Sequence, residues 1–180
     1  MMLYPLKFTP IFKDKIWGGQ KIKTVLGRDF GELPNAGESW DISGVEGNES
    51  IVCNGALAGN SLAELVEVYM GDLVGDKVYA KHGNQFPLLV KVIDANDALS
   101  IQVHPDDEMA AERHNSLGKT EMWYLLAADN DASLISGFNS EISKEEYLAL
   151  VENATLEEAL RSYPVKQGDV FFMPAGRVHA

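Results

Sequence analysis

From Phe86 to Pro174 the chain is a succession of short apolar or alternating runs separated by turn residues. "FPLLVKVIDA" and "LSIQVHP" are joined by the turn-like "NDA", "EMWYLLAA" and "ASLISGF" are rich in aromatic and branched residues, and "DVFFMP" closes the series. Runs of that length and residue type predict strands. Helical patterns interrupt them: "DDEMAAERH" with acids in its first turn, then "SKEEYLALVEN" and "TLEEALRS". Many short strands with helical excursions predict a β-sandwich or barrel, not a parallel α/β sheet. Upstream, residues 1–50 are rich in glycine turns, and "ESWDIS" at 38–43 and "SIVCNG" at 50–55 read as further strands. "SLAELVEVYMG" at 61–71 predicts a helix, with apolar residues at Leu62, Leu65, Val66 and Tyr69, a serine before it and a glycine after it.

The length of 180 residues fits one domain, and 46% hydrophobic with 23% charged residues is enough for a core. A net charge of −12 argues against nucleic acid and anionic membranes, which require clustered basic residues. Any anionic ligand must therefore be held by few, local basic groups. The opening "MMLYPLKFTPIFKDKIWGG" lacks a basic region followed by an apolar stretch, and no run is long enough to span a bilayer. The single cysteine, Cys53, suits a reducing compartment. The expectation is a soluble, cytoplasmic protein.

Chemistry concentrates in three places. Alternation puts Ser100, Gln102 and His104 on one strand face, Glu121 opens the strand "EMWY", and His179 follows a Pro-x-Gly turn. Two imidazoles and a carboxylate from separate segments suit a divalent metal, with the Gln102 carbonyl as a neutral fourth ligand. Each has an ordinary alternative: a solvated face, a turn-capping carboxylate, a terminal histidine in water. Lys91 lies within "PLLVKVI" with Leu89 and Ile93 as face-mates, so it must snorkel, pair or serve a ligand. On local context Trp17 reads as a core tryptophan, His82 and His114 as surface residues, and Cys53 as a small core residue.

The order Gly168, Pro174, Gly176, His179 resembles the second signature of the cupin barrels, and Gln102-x-His104 with Glu121 resembles an altered form of the first. Together with "IWGG", "LSIQVHPDD" and "GKTEMW", the whole chain from about Phe8 resembles the zinc-dependent type I phosphomannose isomerases, most closely their shorter bacterial members. The resemblance implies a mainly β fold, a cupin-type jelly-roll barrel with inserted short helices. Residues 1–180 would form one cupin-type metal-binding domain, the N-terminal portion of a longer isomerase and incomplete at its C-terminus. It implies one Zn2+ per chain, with Gln102, His104, Glu121 and His179 as ligands and Lys119 as an active-site lysine. It places Lys91, Ser100 and Trp17 with the sugar-phosphate substrate. The implied reaction interconverts mannose 6-phosphate and fructose 6-phosphate through an enediol. The arginine and acidic residue credited with substrate activation in the family lie beyond these residues, so residues 1–180 alone are expected to be inactive. With only Ala180 beyond it, His179 is expected to lack a held backbone and a partner for its second ring nitrogen. Two other readings stay open at this point: a non-haem iron cupin oxygenase, and a non-catalytic sugar-phosphate-binding cupin.

Overall fold

A computed structural model describes residues 3–180. The chain forms two compact units, Met1–Ala98 and Leu99–Ala180, where the length alone suggested one domain.

The first unit is built on an antiparallel sheet of three strands in the order β1 (Ile11–Lys13), β2 (Glu38–Ser43), β3 (Leu89–Ile93). Register pairs Trp40 with Lys91 and Glu38 with Ile93, which puts Glu38, Trp40 and Lys91 on one face. Around the sheet lie α1 (Lys21–Thr24), α2 (Leu62–Tyr69), α3 (Gly71–Val74) and α4 (Asp76–His82). The helix at α2 forms where its pattern predicted, closed by a capping box in which Ser61 and Glu64 satisfy each other's backbone N–H groups. Its Leu62, Leu65 and Val66 are buried. Leu65 joins Val52 and Leu57 in one apolar cluster, and Ile22, Phe30 and Ala36 form another. Cys53 is exposed, not a core residue, because Val52 beside it takes the inward position.

The second unit holds α5 (Asp107–His114), β4 (Glu121–Tyr124), β5 (Ser133–Phe138), α6 (Lys144–Glu152), β6 (Leu160–Pro164) and β7 (Val170–Met173). Two antiparallel ribbons result, β4 with β7 and β5 with β6. Alternation along β4 and β7 turns Glu121, Trp123, Phe171 and Met173 inward and leaves Met122, Tyr124, Val170 and Phe172 exposed. "LSIQVHP" makes only an isolated bridge, Gln102 to His179, because the facing chain before His179 is the turn at Pro174–Arg177 and not a strand. "TLEEALRS" is not the expected helix: Leu156–Ala159 is a 3-10 turn, and the chain from Leu160 pairs with β5. Cross-strand pairing there overrides a helical composition.

Among the described residues no ladder closes on itself, and α helices hold more residues than strands. The strands run from three to six residues, and register breaks at Trp40/Ile42 and Ile135/Phe138 interrupt two of the ladders. A closed jelly roll and a mainly β composition are therefore not what these ladders display. No helix among the described residues is long and apolar enough to cross a membrane.

Candidate metal centre

The second unit gathers its chemistry by folding three separate segments onto one another. Asp106 caps α5, its side chain accepting from the Met109 N–H at 2.9 Å. Asn115 ends the helix in the left-handed conformation, and the chain turns back. Gly118 then packs against the backbone of Asp106 and Asp107 so closely that a Cβ would collide with it, and its N–H donates to Asp107 Oδ1 at 2.9 Å. The Lys119 N–H donates to the Pro105 carbonyl at 3.0 Å. These contacts fix where β4 starts, so Glu121 arrives beside His104.

The third segment comes from β7. Register sets Met173 against Glu121, and a turn at Pro174–Arg177 follows, with Gly176 at φ +80°. The Gly176 N–H donates to the His104 carbonyl at 2.8 Å. His179 and Gln102 exchange two backbone hydrogen bonds of 2.8 Å each, and Ala180 exchanges two with Ile135, at 2.9 and 3.1 Å. His179 is thus 2% exposed and gripped on both sides, contrary to the loosely held histidine expected from its position. Its second ring nitrogen is also partnered: Nδ1 lies 2.9 Å from the Arg177 carbonyl. A carbonyl only accepts, so Nδ1 carries a proton, and in the neutral ring Nε2 is the nitrogen with the lone pair.

That nitrogen faces Glu121. His179 Nε2 lies 3.3 Å from Glu121 Oε2, and His104 Nε2 lies 3.6 Å from Oε1. One donor atom from each of His104, Glu121 and His179 falls within 4.8 Å of the others. Two imidazoles and one carboxylate, converging this closely from three segments, form a donor set that fits a divalent cation. The rings stand edge to face, His104 against His179 at 5.0 Å between centroids and Trp123 against His179 at 5.6 Å. Lys119 Nζ donates to Glu121 Oε1 at 3.0 Å and Trp123 Nε1 to Oε2 at 3.1 Å. Burial pushes the Glu121 carboxyl up, but the Lys119 hydrogen bond and charge, the indole N–H and the His104 ring outweigh it and hold the group below the usual glutamate range. Glu121 is therefore an anion at neutral pH.

The other sequence candidates fall elsewhere. Gln102 is bound to His179 through its backbone, while its side-chain amide donates to the Ser100 carbonyl at 3.4 Å. Ser100 is exposed. Lys91 and Trp17 belong to the first unit. Lys91 neither snorkels nor stands free there: its Nζ donates to Glu38 Oε1 at 2.8 Å, and both side chains are largely buried. Trp17 is half-buried, its ring packed over Gly37. Sequence reading missed Glu38, Trp40, Trp123 and the Arg177 carbonyl. The signal for the first three was the shared spacing Glu-x-Trp at Glu38 and Glu121; nothing in the sequence marked the carbonyl.

Residues 5–153 match the family model described as phosphomannose isomerase type I, catalytic domain. Mannose-6-phosphate isomerase ManA of Bacillus subtilis is 41% identical, over 100% of this chain and 55% of its own length. The mannose-6-phosphate isomerase of Streptococcus mutans is 39% identical, over 99% of this chain and 54% of its own. The crystal structure of the mannose 6-phosphate isomerase from Bacillus subtilis superposes with a TM-score of 0.86 at 36% identity, covering 97% of this chain and 54% of that one. The chain spans about half the length of the curated relatives it matches.

Proposed function

Because the chain belongs to the type I phosphomannose isomerase family, we propose that the protein interconverts mannose 6-phosphate and fructose 6-phosphate with a zinc ion held by His104, Glu121 and His179. The convergence of those three donors within 4.8 Å carries the reading. Gln102 supplies a fourth, neutral ligand through its side-chain carbonyl. The family match runs through residues 5–153 and so includes both compact units, which we read as parts of one cupin-type catalytic domain. Its reaction belongs to the cytoplasm, where a single exposed thiol stays reduced.

Aldose–ketose isomerisation moves a proton between carbons 1 and 2 through an enediol, and negative charge develops on the two neighbouring oxygens. Zinc, when bound, supplies Lewis-acid stabilisation of that charge. The protein's own groups do the rest. The Arg177 carbonyl holds the His179 ring in the tautomer that presents Nε2. Trp123 and Lys119 keep Glu121 ionised and oriented. Lys119, 44% exposed at its side chain and bonded to Glu121, is our candidate to add positive charge beside substrate oxygens or to carry the proton. The family resemblance implies Lys91 and Ser100 as phosphate-binding residues and Trp17 as a sugar-binding one.

The test is conversion of mannose 6-phosphate to fructose 6-phosphate, with and without a chelator, by residues 1–180 extended to the length of the curated relatives they match, since the family's substrate-activating arginine and acid are expected beyond them. We expect turnover to disappear with the chelator, to return with zinc, and to fall at least about a hundredfold in Lys119→Met, the scale of a lost acid–base group. Turnover indifferent to both treatments would refute the proposal. Iron recovered in place of zinc would favour an oxygenase.

A further inference from the structure

A second concave site lies in the second unit, lined by none of His104, Glu121 and His179. It is an open groove of about 670 Å³, and Arg161 and Arg177 both line it, with Ser136, Gly137, Tyr163 and Glu141. The chain has only four arginines, so half of them face one groove in a protein of net charge −12. Neither guanidinium is ion-paired to a carboxylate among the described residues, whereas Arg28 is paired to Asp41 at 2.6 Å.

Local structure places both. The ladder of β5 and β6 pairs Ile135 with Ser162 and Phe138 with Leu160, so the register breaks between them and Arg161 sits opposite the break. Within the break Gly137 adopts φ +80°, open to glycine and strained for other residues. A Cβ there would lie 3.3 Å from Arg177 Nη1, so the missing side chain leaves the Arg177 guanidinium its place against the backbone. On β6, Arg161 stacks over the Tyr163 ring at 5.1 Å, and Tyr163 rests edge-on against Phe171 at 5.8 Å. Both arginines are exposed, Arg161 stacked over the Tyr163 ring and Arg177 Nη1 close to the Gly137 backbone. One carboxylate, Glu141, shares the groove and leaves it with a net positive charge.

We propose that this groove binds a phosphate-class dianion through Arg161 and Arg177. Guanidinium forks match phosphate oxygens, and two of them outweigh the single opposing carboxylate. The site does not depend on the metal reading, because none of its residues belongs to that donor set.

Titration calorimetry of the full 180-residue chain, stripped of metal with a chelator, tests this with inorganic phosphate near neutral pH and low salt. We expect one saturable phosphate site that depends on the two arginines, beyond any phosphate taken by the proposed substrate groups. Arg161→Gln and Arg177→Gln should each weaken it by about ten- to a hundredfold, the loss of a charge-assisted hydrogen bond. Glu141→Gln should tighten it about two- to fivefold by removing a partly solvated like charge, a gain that misfolding cannot mimic. Arg113→Gln, which removes an arginine of α5 that does not line the groove, should leave it within about twofold. Absence of saturable binding overturns the proposal. So does binding that survives both arginine substitutions or falls as far in Arg113→Gln.

Discussion

The same three-residue device occurs once in each unit. Glu38 accepts from Trp40 Nε1 at 2.8 Å and from Lys91 Nζ at 2.8 Å, and Glu121 accepts from Trp123 Nε1 at 3.1 Å and from Lys119 Nζ at 3.0 Å. In each case a strand places an indole two residues beyond a carboxylate, on the same face. Burial raises the Glu38 carboxyl, but the Lys91 hydrogen bond, the Trp40 N–H and the charges of Lys91 and Lys15 win, leaving it below the usual range. A carboxylate with a depressed folded pKa stabilises the fold fully above its unfolded value, about 4.3, and that contribution fades as pH falls through the folded value. Lys91→Met should therefore cost about 2–3 kcal/mol at neutral pH and flatten the loss of stability on acidification, read from urea titrations across the acid range. An equally steep acid loss in the variant would show that Lys91 does not hold Glu38 down. His104, Glu121 and His179 were legible because residue type and order carry metal chemistry. The Lys91–Glu38 pair was not, since its partners lie 53 residues apart and only β2–β3 register joins them.

At the scale of elements, the helices with strong end signals were read correctly. Ser61, Asp106 and Ser143 each accept a backbone N–H at the start of α2, α5 and α6. The shorter α1, α3 and α4 were not anticipated. The four residues of α1 and of α3 cannot display a helical period, the seven of α4 make about two turns, and none of the three has a side-chain cap. The segment around His104 shows the opposite failure: strand composition without a ladder, because its partner is the single residue His179. What aligns that segment with Glu121 is the close approach of Gly118 to the turn at Asp106–Asp107. Gly118→Ala should cost about 1–3 kcal/mol, since the neighbouring backbone cannot yield, and should also weaken zinc binding. Ser61→Ala should cost about 1 kcal/mol and leave zinc binding unchanged. Denaturant midpoints and zinc affinities of the two variants separate a defect in the centre from a general loss of stability.

For the molecule as a whole, the two compact units divide the labour. The first carries both apolar clusters and the second carries the three convergent donors. Among the described residues the ladders do not close into the barrel implied by resemblance, and pattern alone does not decide closure, which depends on which short strands pair. A metal-ligand role, as proposed, would account for how firmly His179 is built in: a buried imidazole, backbone-paired to Gln102, with Nδ1 against the Arg177 carbonyl. The direct measurement is equilibrium dialysis against zinc with metal quantified per chain. The account predicts one zinc in the unaltered chain, none retained by His104→Ala, Glu121→Gln or His179→Ala, and weakened binding in Gln102→Ala. Undiminished zinc in all three of the first group, with the fold intact, would contradict it.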